Sequence, residues 1–328
     1  MRAYGWRGWP ALAVGLLAAV TGCSGSAAPE PSPVAATSSV SAVPTTAPGV
    51  SLSEAANAFN EYVLTDSLLR AAGDRRLARE ITRDGRTDLV NAEYASTRDS
   101  PVRYTWGTPS FLVPRLRPDE PLWFTAVVPR GDQTAVLTFA KGTDWRLSSL
   151  SLLFPGQKLP EVKRDAAGYA EVVGLDDQSV QISPRYVAPL HATIAERGPA
   201  GIAANLVAPG PYTTETATAI ADNRRTAKTD GFRYDSIFSA AEYPVYALRT
   251  ADGGALVQYS LLRTTSMNNM LFVSPYLPVP PSGRWALTGS YRQTLKIYET
   301  QQYVAVVPRS AAATVVGYDG AITRATGS

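Results

Sequence analysis

Gln133-Thr134-Ala135-Val136-Leu137-Thr138-Phe139-Ala140, then Lys141-Gly142-Thr143-Asp144, then Trp145-Arg146-Leu147-Ser148-Ser149-Leu150-Ser151-Leu152-Leu153-Phe154 decides the fold class. Two runs of β-branched, aromatic and aliphatic residues flank a short Gly- and Asp-bearing turn, the signature of an antiparallel hairpin. Immediately upstream, Leu122 to Val128 and Val102 to Val113 read as further strands, separated by Pro-, Gly- and Asp-bearing turns. Before residue 101 the period is helical. Ser51-Leu52-Ser53-Glu54 offers a capping box, and Leu52, Ala55, Ala56, Phe59, Tyr62 and Val63 form a stripe that Asp66 and Ser67 interrupt near Thr65. A second helix is expected from Asp74 to about Gly85, and a third over Thr87 to Thr97. Helices followed by a meander give an α+β module, because the helices must cover one face of the sheet.

The same grammar recurs downstream. Ser183-Pro184 opens a helix through Leu190 and Ile194 to Gly198, and Thr213 to Thr229 gives another. Phe232-Arg233-Tyr234 echoes Val102-Arg103-Tyr104, and Arg284-Trp285-Ala286-Leu287 echoes Asp144-Trp145-Arg146-Leu147. Tyr291 to Glu299, Gln302 to Val307 and Ala313 to Tyr318 add three β-like runs that complete a larger sheet or bridge the halves. The expected layout is a first α+β module at 51–160, a connector at 161–182 and a second α+β module at 183–328, two tandem helix-then-antiparallel-sheet units.

The N-terminal segment places the protein. Arg2 and Arg7 precede Ala11 to Val20, an uninterrupted run of small and apolar residues, which is the charged and apolar part of an export signal over 1–22. Those ten residues rise only about 15 Å as a helix, half of a ~30 Å hydrocarbon core, too short to span it. Val20-Thr21-Gly22-Cys23 then resembles the lipobox of bacterial lipoproteins. The resemblance implies that Cys23, the sole cysteine, becomes the mature N-terminus and carries a diacylglyceryl group. Two acyl chains hold a protein on a bilayer where one does not. The rest of 23–50 is rich in Pro, Ala, Ser and Thr and reads as a tether reaching at most roughly 80 Å at about 3.1 Å per residue.

The order Trp145-Arg146-Leu147-Ser148-Ser149, Pro155-Gly156, Leu159-Pro160-Glu161 and Asp165-Ala166-Ala167-Gly168-Tyr169-Ala170 continues into Ser183-Pro184, His191, Gln301-Gln302-Tyr303 and Val307-Pro308. It resembles a family of uncharacterised actinobacterial membrane-anchored lipoproteins, over nearly all of Ser51 to Ser328. That family carries no established activity. A helical stretch followed by a curved antiparallel sheet is also similar to cone-shaped folds of the nuclear transport factor 2 type, whose sheets often enclose a pocket.

Composition removes much catalytic chemistry. The 328 residues are 45% hydrophobic and 18% charged, with one cysteine and one histidine, so no disulfide forms within the chain and no His/Cys cluster holds a metal. The formal surplus of +3 falls to +1 without Arg2 and Arg7, which leaves no electrostatic footprint for nucleic acid. His191 is the one possible imidazole base, but no Gly-x-Ser-x-Gly elbow surrounds any serine. Asp176-Asp177, Asp119-Glu120 and Asp74/Glu80 are candidate acid pairs for a glycosidase, yet adjacent acids on a strand diverge and acids in turns cap or solvate. Arg75-Arg76 and Arg224-Arg225 read as solvated helix faces. Ser274 to Gly283 (SPYLPVPPSG) is expected to expose Tyr276 and Leu277 in a proline-rich partner loop.

The sequence therefore predicts a non-enzymatic envelope lipoprotein, without cofactor, lipid-anchored on the extracytoplasmic face of the cell membrane, that binds or scaffolds an envelope protein or small ligand. The alternative is a module holding a lipid or other small molecule in a pocket of the curved sheet. An envelope hydrolase comes third. An apolar cavity of several hundred Å³ with a few inward polar groups would favour the pocket reading over scaffolding.

Overall fold

The computed structural model describes residues 49–328, apart from Pro118, Ile202, 272–275 and Thr288. The export signal, Val20, Thr21, Gly22 and Cys23 of the lipobox, and nearly all of the tether lie outside the described residues.

Helix α1 spans Leu52–Ala72, with the Ser51 hydroxyl accepting from the Glu54 N–H at 3.0 Å and Gly73 closing it at φ +67°. Only half of the capping box forms, because the Glu54 carboxylate accepts instead from Lys141 Nζ (2.6 Å) and Trp145 Nε1 (3.0 Å) on the first hairpin. The helix also outruns its expected end at Thr65. Asp66 is buried and pairs with Arg70 one turn on, at 2.8 Å, so the residue that interrupts the apolar stripe extends the helix. Asp74 caps α2 (Arg75–Glu80) through the Leu77 N–H, and α3 follows at Asp84–Ser96.

The first meander comprises β1 (Ser110–Leu112), β2 (Trp123–Arg130), β3 (Gln133–Lys141) and β4 (Trp145–Leu153). The expected strand at 102–113 shrinks to three residues plus a lone bridge from Trp106 to Arg130. After α4 (Pro184–Arg197) and α5 (Thr214–Thr229) come β5 (Phe232–Ala240), β6 (Tyr246–Arg249), β7 (Ala255–Asn269), a 3-10 helix at Pro281–Ala286, β8 (Thr294–Val307) and β9 (Thr314–Gly327). The two runs expected at 291–299 and 302–307 are one strand, β8.

Among the described residues all nine strands belong to one antiparallel sheet, ordered β1-β2-β3-β4-β9-β8-β7-β5 with β6 also on β7. The strands of the two halves meet where Leu152 and Leu153 face Tyr318 and Gly317, so β9 joins the first meander to the second. The connector lies across that fold as single bridges, Pro114 to Ala170, Val162 to Thr250 and Val172 to Leu248.

Period-two alternation sorts the side chains. Phe124, Ala126, Val128, Ala135, Leu137 and Phe139 pack outward against Ala55, Ala58, Phe59 and Tyr62 of α1. Their neighbours Trp123 and Val136 face inward, across the curl of the sheet, onto Tyr246, Leu248, Leu256 and Val304. A buried bridge ties the two walls. Thr125 and Thr138 share a 2.7 Å hydrogen bond, Thr138 donates to Gln258 Oε1 at 2.7 Å, and Gln258 Nε2 donates to Thr125 at 3.0 Å. Both threonines reach Gln258 on the opposite half, which fixes how the halves dock.

Candidate functional site

On the outer face of the second meander, one stretch of sheet lacks full cover. Phe232 and Tyr234 on β5, Arg263, Thr265 and Met267 on β7, Ile297 and Glu299 on β8, and Ile322 on β9 form the floor of a cavity of about 520 Å³. Ladder register brings them together, since Arg263 stands opposite Glu299, Thr265 opposite Ile297 and Tyr234 opposite Met267. One wall is the last turns of α5 (Asn223, Thr226, Ala227, Asp230), and the other is a strap of chain from Pro278 to Ser282. Three prolines in that strap remove backbone donors, so it crosses the sheet without extending it.

The strap is pinned by Leu277. Its side chain is 3% exposed among Phe232, Met267, Leu295, Ile297 and Ile322, and its N–H donates to the Tyr291 carbonyl at 2.7 Å. The expected pair is thus split. Tyr276 is 55% exposed, with the Arg292 guanidinium 4.3 Å from its ring centroid and donating to its hydroxyl at 2.9 Å. Leu277 is an internal anchor, because a strap that cannot hydrogen-bond into the sheet is held by apolar contact.

At the deep end the floor turns polar. Arg263 donates from Nε to Ser236 Oγ at 2.7 Å, lies over the Phe238 ring at 5.3 Å, and stands 3.6 Å from Glu299. Glu299 accepts from Gln301 Nε2 at 2.9 Å, and Gln301 Oε1 accepts from the buried Tyr303 hydroxyl at 2.9 Å. The Arg263–Glu299 pair is longer than a hydrogen bond, which leaves donor and acceptor capacity facing the cavity.

A second cavity, of about 360 Å³, adjoins the first, since Ser282 and Ile322 line both. It lies between α3, the strap's 3-10 helix and the middle of β9, with Leu89, Ala92 and Trp285 as apolar walls. Its lining charges Glu93, Arg86 and Asp319 are paired, Glu93 through Arg70 behind the wall. Arg70 holds Glu93 through two bonds (2.6 and 3.0 Å) and Asp66 at 2.8 Å, Tyr104 donates to Glu93 at 2.9 Å, and Arg86 pairs with Asp319. Burial opposes ionisation of Glu93, but the Arg70 hydrogen bond and charge, with Arg86 and Tyr104, outweigh it and hold the carboxyl below its usual range. For Asp66 burial wins, and its carboxyl is pushed up despite Arg70. Arg130 rests on the Tyr104 ring at 4.2 Å, and its guanidinium has no hydrogen bond or ion pair among the described residues. Burial pulls its proton affinity down.

The other sequence candidates lie elsewhere. His191 is fully buried on the inner face of α4, its Nδ1 2.8 Å from the Tyr259 hydroxyl and its Nε2 2.7 Å from the Tyr212 carbonyl. A carbonyl accepts only, so Nε2 carries the proton and Nδ1 accepts from Tyr259. Burial lowers its pKa to about 4, with the Tyr212 contact opposing. Asp176 pairs with Arg185, Asp177 with Arg249, Asp119 and Glu120 with Arg117, and Glu80 with Arg76, while Asp74 caps α2. Arg75 meets Asp99, Arg224 meets Asp235 and Arg225 meets Asp222. Neither cavity was legible in the sequence, because Arg263 and Glu299 become a pair only through β7–β8 register. Among the described residues no group of His, Cys, Asp and Glu is placed to hold a metal, and no helix is long and apolar enough to cross a membrane.

An uncharacterized lipoprotein of Streptomyces avermitilis is 27% identical over 64% of this chain and 65% of its own length. Two uncharacterized lipoproteins of Streptomyces coelicolor are 27% identical over 76% of this chain and 74% of theirs, and 28% identical over 63% and 62%. The chain thus spans less than two thirds of the length of two of these three relatives. No solved structure matches. Kinship with uncharacterised lipoproteins agrees with the resemblance read from the sequence, and its extent follows the described fold: the chain belongs, over residues 46–327, to the family of the domain of unknown function DUF8094.

Proposed function

We propose that the protein is a membrane-anchored envelope lipoprotein, on the extracytoplasmic face, that binds a small apolar or amphipathic molecule in the cavity between α5 and the strap, without catalysing a reaction on it. The observation that supports this most is the cavity itself, about 520 Å³ of apolar wall closing on one polar spot, Arg263 and Glu299. Ligand sites have this make-up, a few hundred Å³ of apolar lining and a few convergent polar groups. Lipid attachment at Cys23 keeps the site close to a bilayer, where amphiphiles are concentrated.

Native mass spectrometry of the full chain extracted from membranes tests this. A bound species of lipid or comparable mass is expected, and Thr265→Trp, which fills the floor, is expected to lose it while the thermal midpoint stays within a few degrees. A chain that carries and takes up no apolar molecule, with or without Thr265→Trp, refutes the reading.

A further inference from the structure

The two cavities under the strap differ in chemistry, and the difference identifies the ligand class. In the second cavity every carboxylate already has its cation. Glu93 is held by Arg70 and Tyr104, and Asp319 by Arg86. Arg130 is the one cation lining this cavity with no carboxylate within 4 Å among the described residues, and it is half-buried with its donors free. A guanidinium taken partly out of water needs an acceptor. Tyr104 supplies only the face of its ring, which attracts the charge without accepting an N–H. Leu89, Ala92, Trp285 and Ile322 supply apolar wall that reaches Ser282, which also lines the 520 Å³ cavity.

We propose that Arg130 binds the ionised acid group of an acyl-chain amphiphile, whose chain passes Ser282 and Ile322 into the cavity between α5 and the strap. This rests on reading that cavity as the apolar ligand site. A fork of N–H donors suits a carboxylate or a phosphate monoester alike, so the shared chemistry is a single-headed oxyacid on a long alkyl chain. Glu93 and Asp319 do not repel it strongly, because each is neutralised at contact by Arg70 or Arg86. They do select against amphiphiles with two acid groups, for which no second free cation lines the cavity.

Native mass spectrometry of the full chain, offered an equimolar mixture of hexadecanoate, hexadecyl phosphate and hexadecanol, separates the possibilities in one spectrum. Occupancy by the acids is expected to exceed that by the alcohol about tenfold, the worth of one charge-assisted hydrogen bond. Whichever acid leads identifies the source, free fatty acid or phosphate-bearing lipid. Arg130→Gln is expected to erase the preference while leaving hexadecanol occupancy unchanged, and Arg130→Lys to keep part of it. Equal occupancy by acid and alcohol in the unaltered protein, or a preference that survives Arg130→Gln, overturns the acid site and leaves the apolar cavity standing. Binding of none of the three overturns both.

Discussion

Acidification is expected to unfold this protein through its single histidine. His191 titrates near pH 6.5 in an unfolded chain and at about 4 in the fold, where burial penalises the imidazolium. Between those values the unfolded state binds the extra proton and the folded state does not. Stability is therefore complete above about pH 6.5 and falls as pH drops through that window. From pH 7 to pH 5 the loss from this one group is about 2 kcal/mol, rising to about 3 kcal/mol below pH 4. The window from 6.5 to 5 belongs to His191 alone among imidazoles, because the sequence has no other. Glutamine at this position is close in size, keeps an amide donor for the Tyr212 carbonyl and does not titrate. Urea unfolding at pH 7 and pH 5, followed by tryptophan fluorescence, is expected to show His191→Gln less stable than the unaltered protein at pH 7. The gap should narrow by about 2 kcal/mol at pH 5, with carboxylate contributions cancelling in the difference. A gap that does not change with pH refutes the argument that His191 is neutral and solvent-free.

Leu277→Ala empties a buried anchor of the strap and is expected to cost 2 to 5 kcal/mol, whereas Tyr276→Ala, on the exposed neighbour, is expected to stay within about 0.5 kcal/mol; chemical denaturation of both variants checks the contrast. Gly317→Val places a side chain at the seam of β4 and β9, where even a Cβ would lie 3.0 Å from the Leu152 carbonyl oxygen. It is expected to destabilise by about 1 to 3 kcal/mol and to raise amide exchange in β4 and β9 before the rest of the sheet. Lys141→Met removes the charge partner of the half-exposed Glu54 and, with solvent screening, is expected to cost no more than about 1 kcal/mol by thermal melting.

Local elements were legible where one physical signal dominates. The hairpin of β3 and β4 stands where its β-formers and turn put it, and Asp74 caps α2 as short acids do. Legibility failed where a distant partner overrides local preference. Asp66 reads as a helix end until Arg70, Glu93 and Arg86 gather around it, and Val102 to Val113 reads as a strand although only Ser110–Leu112 and the lone Trp106 bridge pair with a neighbour. The site is the extreme case. Arg130, Arg263 and Glu299 carry no motif, and their meaning arises from register and from which cation is left without an anion. The split of Tyr276 from Leu277 follows the same logic, since adjacent residues of an extended strap point opposite ways and only one side has a core to enter.

The place of β9 in the sheet bears on how the chain matures. Strand β9, 14 residues, follows β1–β8 in sequence yet lies between β4 and β8, so the first meander keeps an open edge at β4 until β9 arrives. A chain synthesised from its N-terminus therefore passes through a stage with an apolar, strand-competent border awaiting β9, when pairing with another copy is most competitive. Truncation within 314–327 is thus expected to harm the yield of folded protein out of proportion to the contacts removed, because it makes that transient border permanent.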